Sequence, residues 1–204
     1  MSRYEVDGNL ESEYESGSLV LKNKLGISDL KQMHALEYDL LKQMETWVVE
    51  NTSKTDALSS KGICLLHKIW FSSIYSWAGN YRTVEISKDG FQFSVSKYIP
   101  EQMEAFEERI LKQLTPLSKL EPQRFAEALA KVHVEFILIH PFREGNGRLS
   151  RVLSNVMALQ AGFPPLDYSV LTEKSRYIPA IHAGLSRDYS PMTELFSEIL
   201  QKTP

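Results

Sequence analysis

Twelve consecutive residues, His140-Pro141-Phe142-Arg143-Glu144-Gly145-Asn146-Gly147-Arg148-Leu149-Ser150-Arg151, carry the side chains in this sequence best suited to transfer chemistry. The imidazole of His140, with an ordinary pKa of about 6.5, suits a general base. Gly145 and Gly147 lack a Cβ, so the main chain there can take positive φ and come close to a ligand. Successive N–H groups in such a turn, followed by the positive end of a helix, make a seat for phosphate. Arg148 and Arg151 are three apart and leave one face of that helix, a spacing that suits two successive phosphates. A carboxylate at Glu144 would be repelled by the same phosphates unless a cation stands between them. Mg²⁺, commonly held by one or two carboxylates plus phosphate oxygens, removes the conflict. The pattern GxxxxGK(S/T) is absent, so this is not a Walker loop. The set reads as base, metal carboxylate and phosphate seat.

The elements that must position this loop follow from periodicity. Phe125, Leu129, Val132 and Phe136 predict a helix from Pro122 to His140, where Pro141 disfavours continuation. Val152, Leu153, Val156 and Leu159 predict a second helix leaving the loop and ending near Gly162, with Pro164-Pro165 beyond it. Upstream, Leu30, Met33, Leu36, Leu40, Met44 and Trp47 predict a helix from an N-cap at Ser28 to about Glu50. A further helix over about 60–76 would bury Ile63, Leu66, Ile69, Trp70 and Ile74, and one opening at Pro100 would bury Met103, Phe106, Ile110 and Leu114. Thr83-Val84-Glu85-Ile86 and Phe91-Gln92-Phe93-Ser94 alternate around Asp89-Gly90, which predicts a β-hairpin. Two short helices, about 173–183 and 191–201, complete an all-α bundle of about seven helices with one small hairpin, a single domain over 1–204. Residues 1–18 are polar and are expected to be irregular or poorly ordered unless something ties them down.

His140 to Arg151 resembles, at every fixed position, the signature HxFx(D/E)GNGRxxR of Fic-domain proteins. The resemblance implies the Fic-type helical fold and transfer of AMP from ATP to a Tyr, Ser or Thr hydroxyl of a target protein. In that reading His140 deprotonates the hydroxyl, Glu144 holds Mg²⁺ and Phe142 anchors the loop. Asn146 and the backbone of Gly145 and Gly147 bind the α- and β-phosphates, and Arg148 and Arg151 the β- and γ-phosphates. The related Doc kinases carry a lysine in place of the second glycine, whereas this sequence keeps Gly147, which favours nucleotidyl transfer. The hairpin corresponds to a flap (Thr83, Val84, Glu85, Ile86, Phe91, Phe93) whose exposed edge pairs with an extended target segment through main-chain bonds. The opening of the chain (Tyr4, Gly17-Ser18, Asn23 to Ile27) resembles the lead-in of bacterial Fic toxins. Two other readings keep the residues but change the outcome: another nucleotide or phosphate-containing donor, or a nucleotide-holding regulatory module without turnover. The intact His140 argues against the module, since holding phosphate needs no base.

Many Fic proteins are restrained by a helix carrying (S/T)xxxE(G/N), whose glutamate pairs with the second signature arginine, here Arg151. Thr46-Trp47-Val48-Val49-Glu50-Asn51 fits that pattern, which makes Glu50 a candidate internal inhibitor. Where no internal glutamate serves, the toxin–antitoxin branch of the family implies a separate small inhibitory protein. Composition sets the remaining bounds. With 43 % hydrophobic and 24 % charged residues and a net charge of −3, the chain is ordinary for a globular protein and offers no global attraction to nucleic acid or anionic membrane. Cys64 is the only cysteine, so an internal disulfide is excluded, and its apolar neighbours Ile63, Leu65 and Leu66 predict a small buried residue. Neither an apolar run of membrane-spanning length nor a secretion signal is read, and the expected location is cytoplasmic. His34, His67, His133 and His182 lack metal-ligand spacing and are read as structural or surface groups.

Overall fold

The computed structural model describes residues 5–7, 14–53, 55–117, 121–172 and 174–203. Its helices are α1 (Leu30–Asn51), α2 (Ser60–Phe71), α3 (Ile99–Phe106), α4 (Lys112–Leu114), α5 (Pro122–Ile139), α6 (Asn146–Ala161), α7 (Lys174–Ala183) and α8 (Ser190–Lys202). A π-helical stretch, Glu107–Leu111, joins α3 to α4 without a break, so the described residues form seven rods. Strands β1 (Glu5–Asp7), β2 (Glu85–Lys88) and β3 (Phe91–Gln92) make one antiparallel sheet in the order β1-β2-β3. The all-α expectation with a small hairpin holds.

The hub is α5. Eleven of its eighteen residues are buried, so it is apolar well beyond one stripe, as a helix surrounded by others must be. It packs against α3, α6, α7 and α8. Because α5 ends at Ile139 and α6 begins at Asn146, the loop between them is suspended from the best-packed part of the molecule. Among the described residues no helix is long and apolar enough to cross a membrane.

Four expectations are corrected. Asp29, not Ser28, caps α1, its carboxylate accepting the Gln32 N–H at 2.7 Å. The buried stripe of α1 is Met33, Glu37, Leu41, Met44 and Val48, rotated from the apolar stripe read in sequence, and Leu36, Leu40 and Trp47 are only partly buried. The rotation follows from Glu37, whose carboxylate has polar partners inside the protein, so burying it costs less than its type implies. Helix α2 stops at Phe71, five residues earlier than expected.

The fourth correction concerns the N-terminal region. Glu5–Asp7 pairs with β2 (Val6 opposite Ile86), adding a third strand to the hairpin. Residues 14–28 are also tied down. The Asn23 side chain accepts the N–H groups of Leu25 and Ile27 and donates to Leu21 and Ile27 carbonyls, and the Lys24 N–H donates to Ile74 at 2.8 Å. Residues 1–4, including Tyr4, and 8–13 lie outside the described residues, as does Glu173 at the expected start of α7.

Candidate active site

The loop closes on itself through one side chain. The Asn146 amide accepts the Phe142 N–H at 2.9 Å and donates to the Phe142 carbonyl at 2.8 Å. Its side chain is therefore spent on shaping the loop, and what it can offer a phosphate is its main-chain N–H. Phe142 is fully buried and its ring stacks on His67 at 3.9 Å. The two glycines divide the work expected of both. Gly145 alone has positive φ (+84°), and a Cβ there would meet Phe71 Cε2 and Trp70 Cζ3 at 2.8 Å. Gly147 is helical and has nothing within 4 Å of where a Cβ would stand, so it keeps open the space above the first turn of α6. Near that turn the first N–H groups of the helix lack intrahelical acceptors.

His140 ends α5 in the left-handed region (φ 51°, ψ 59°), not in the extended conformation expected before a proline. Its N–H still donates to the Phe136 carbonyl at 3.0 Å, and the reversal turns the ring back under the hairpin. There it stacks on Phe93 at 3.7 Å. Nδ1 lies 3.0 Å from the Ile137 carbonyl, which can only accept, so the proton sits on Nδ1 and Nε2 is the accepting nitrogen. Burial lowers the His140 pKa to about 3, with the positive charges of Arg82 and Lys88 acting the same way, so the ring is neutral at physiological pH. A cavity of about 150 Å³ opens beside it, lined by Gly147, Phe91, Phe93, Tyr177 and His182 among others.

Glu144 is buried, and its Oε1 accepts the Gly145 N–H at 2.8 Å and Arg148 Nη2 at 3.2 Å. Arg148 gives its other terminal nitrogen to Glu37 at 2.8 Å and lies 4.6 Å over the Trp70 ring. Arg151, one turn on, lies 5.6 Å over the Tyr168 ring and is in no ion pair among the described residues. Glu50 does not reach it: that carboxylate is exposed at the end of α1, so the internal brake read from Thr46 to Asn51 is not formed here. The flap residues lie together. Ile86 and Phe93 are buried against Val84 and Phe91, while Asp89 (φ 51°) and Gly90 (φ 78°) make the two-residue turn that the Asp-Gly pair predicts. Thr83 lies just before the strands, where its carbonyl accepts the Ser96 hydroxyl, and Glu85 accepts Ser96 N–H at 2.9 Å.

Residues 57–158, half of the chain, match the Fic/DOC family. This chain belongs to the Fic/DOC family. It is 32 % identical over 168 residues to protein adenylyltransferase VbhT of Bartonella schoenbuchensis, spanning 80 % of this chain and 33 % of that protein. It is 25 % identical over 186 residues to the probable protein adenylyltransferase Fic of Salmonella typhimurium, spanning 91 % of this chain and 90 % of that protein. Among solved structures, the N-terminal Fic domain of an effector from Bartonella sp. AR 15-3 superposes with a TM-score of 0.77 at 28 % identity, covering 93 % of this chain and 91 % of that one. BepC of Bartonella tribocorum, solved with bound AMPPNP, has the same fold with a TM-score of 0.74 at 24 % identity over 93 % of this chain and 96 % of that one.

Three groups that hold this Fic/DOC loop were not legible as site residues. Arg82, buried, donates from Nε to the His140 carbonyl at 2.8 Å and from its terminal nitrogens to Val84 and Ser94 carbonyls, while its own N–H donates to Pro141. It thus ties hairpin to loop, and burial lowers its pKa to about 10. His67 accepts the Gly79 N–H on Nδ1 at 2.8 Å, so Nε2 carries the proton and donates to the Glu144 carbonyl at 3.2 Å. Glu37 is the third. The near-absence of buried charge in ordinary cores was the one available signal for Arg82 and Glu37, and it needs coordinates to use.

Proposed function

We propose that this chain is a protein adenylyltransferase, moving AMP from ATP to a hydroxyl side chain of a target protein. The names of its relatives support the reaction class. The observation that carries the proposal is the His140 ring: its tautomer, held by the Ile137 carbonyl, presents Nε2 as a proton acceptor in the cleft that Gly147 also lines. There the acceptor oxygen attacks the α-phosphorus, its proton passes to Nε2, and pyrophosphate leaves. The helical N–H groups at Asn146, Gly147 and Arg148 and the dipole of α6 stabilise charge on the phosphate oxygens. Arg148, held by Glu37 and Glu144, acts on the phosphates as a fixed charge, and Arg151 is the principal guanidinium for the leaving group.

Glu144 fits a Mg²⁺ ligand. It is a carboxylate beside the phosphate seat, and Mg²⁺ is commonly held by one or two carboxylates with phosphate oxygens and water completing its shell. When bound, Mg²⁺ would neutralise phosphate charge. A target segment adds to the β3 edge of the sheet, since β1 already covers β2 on the other side and Phe93 on the β3 side touches His140. We place the protein in the cytoplasm, where ATP is abundant, with a small protein partner supplying an inhibitory glutamate to Arg151.

The test is transfer from ATP labelled on the α- or the γ-phosphate into lysate proteins, with Mg²⁺, for the wild type and His140→Ala. Label from the α position only, lost in the variant, is the expected result. Transfer from the γ position would make the protein a kinase and overturn the proposal, as would α-label transfer that survives His140→Ala. Copurification with a small protein encoded beside it supports the inhibitory partner, and full activity in cells without growth arrest counts against it.

A further inference from the structure

Behind the loop, the buried carboxylate that holds Arg148 also bears on Glu144. Glu37, in the middle of α1, is 1 % exposed. Its Oε1 accepts the Tyr75 hydroxyl at 2.8 Å and its Oε2 accepts Arg148 Nη1 at 2.8 Å. Its carbonyl accepts the indole N–H of Trp70 at 2.9 Å, and the Arg148 guanidinium lies over that same indole. The other terminal nitrogen of Arg148 reaches Glu144 at 3.2 Å. One guanidinium is therefore shared between two carboxylates, one deep in the core and one at the mouth of the site.

The charges decide what this sharing does. Arg148 divides its terminal nitrogens between the two carboxylates, and the contact to Glu37 is the shorter, 2.8 Å against 3.2 Å. Without Glu37 the guanidinium would be free to turn to Glu144, and a cation approaching Glu144 would meet that positive charge 3.2 Å from its ligand oxygen. The shorter contact to Glu37, its burial and the indole seat all hold Arg148 toward α1 and away from Glu144.

We propose that Glu37 is a positioning residue for the metal carboxylate: by taking up Arg148, it keeps Glu144 accessible to Mg²⁺ and oriented for it. The proposal rests on the assignment of Glu144 as the metal ligand made above. Groups hydrogen-bonded to a metal ligand, as Arg148 is to Glu144, typically contribute roughly ten- to a hundredfold to metal affinity, and Glu37 acts through Arg148.

The experiment measures the Mg²⁺ midpoint for ATP binding, by calorimetry on the full chain, together with the Mg²⁺ midpoint for AMP transfer and the melting temperature. Glu37→Gln keeps shape and removes charge; its midpoint is expected to rise roughly tenfold in both assays. Glu37→Asp keeps the charge but withdraws it from Arg148, and an intermediate rise is expected; if the Gln variant does not fold, the Asp variant decides alone. An unchanged midpoint with a lowered melting temperature would make Glu37 a structural staple between α1, α2 and α6 and overturn the proposal. Glu144→Gln separates the two levels. If it leaves the midpoint unmoved, the metal assignment itself fails; if it moves the midpoint while neither Glu37 variant does, only the role of Glu37 fails.

Discussion

Replacing each loop glycine by alanine in turn should separate folding from catalysis. At Gly145 the new methyl group would sit 2.8 Å from carbons of both Phe71 and Trp70, and the backbone would remain at φ +84°. A left-handed conformation costs a non-glycine residue about 1–2 kcal/mol. Forcing a methyl group against two fully buried rings costs about 1–3 kcal/mol more, because neither ring has space to retreat. Gly145→Ala is therefore expected to lose about 2–5 kcal/mol of stability, or very roughly 5–15 °C in melting temperature for a chain of this size. At Gly147 the methyl group meets nothing within 4 Å and the backbone is already helical. Gly147→Ala should gain about 0.5–1 kcal/mol, yet the methyl stands in the space kept for phosphate, so ATP affinity and AMP transfer should fall. The assay is thermal unfolding beside ATP binding and α-label transfer for both variants. A stable Gly145→Ala, or a Gly147→Ala that melts early or transfers normally, would refute the division of labour between the two glycines.

Acid should destabilise the protein through buried imidazoles. Burial lowers the pKa of His67 to about 4 and of His133 and His140 to about 3. Each folded-state value lies below the unfolded one, so their contribution is complete above about pH 6.5 and is lost as pH falls towards the folded values. Between pH 7 and 5 the loss is on the order of 1–2 kcal/mol per histidine, and a urea midpoint that stays level across that range would contradict it. Arg82→Ala leaves the His140, Val84 and Ser94 carbonyls without their donor, at a cost of about 2–4 kcal/mol; it should also free the hairpin, seen as faster amide exchange in β2, and unchanged exchange would show that packing alone holds it. Removing residues 1–7 uncovers the outer edge of β2. The amides of Glu85 to Ser87 should then exchange faster with no change in melting of the helical core, and equal protection with and without the segment would show that β1 contributes nothing in solution.

How much of this was legible beforehand depended on distance along the chain. The loop's base, carboxylate, glycines and arginines lie within one short run, and a run of that kind is read directly, because local chemistry needs only neighbours. Helix existence was also legible, since a bundle must show its apolar period, and Asp89-Gly90 announced the hairpin through the positive φ both residues adopt. What could not be read was any role that exists only through contact between distant segments. Glu37 lies 111 residues from Arg148, and Arg82 lies 58 from His140. In sequence each is an ordinary surface charge, and only burial beside the right partner makes it part of the site. Glu50 fails in the opposite sense: its local pattern fits an inhibitor, but the helix face it occupies turns it to solvent. The residue types and their spacing thus determined which chemistry the loop can perform, because that information is covalent and local. Which glycine bends, which nitrogen of His140 accepts and which carboxylate holds Arg148 were decided by tertiary packing, because each depends on what the rest of the chain brings within a few ångströms.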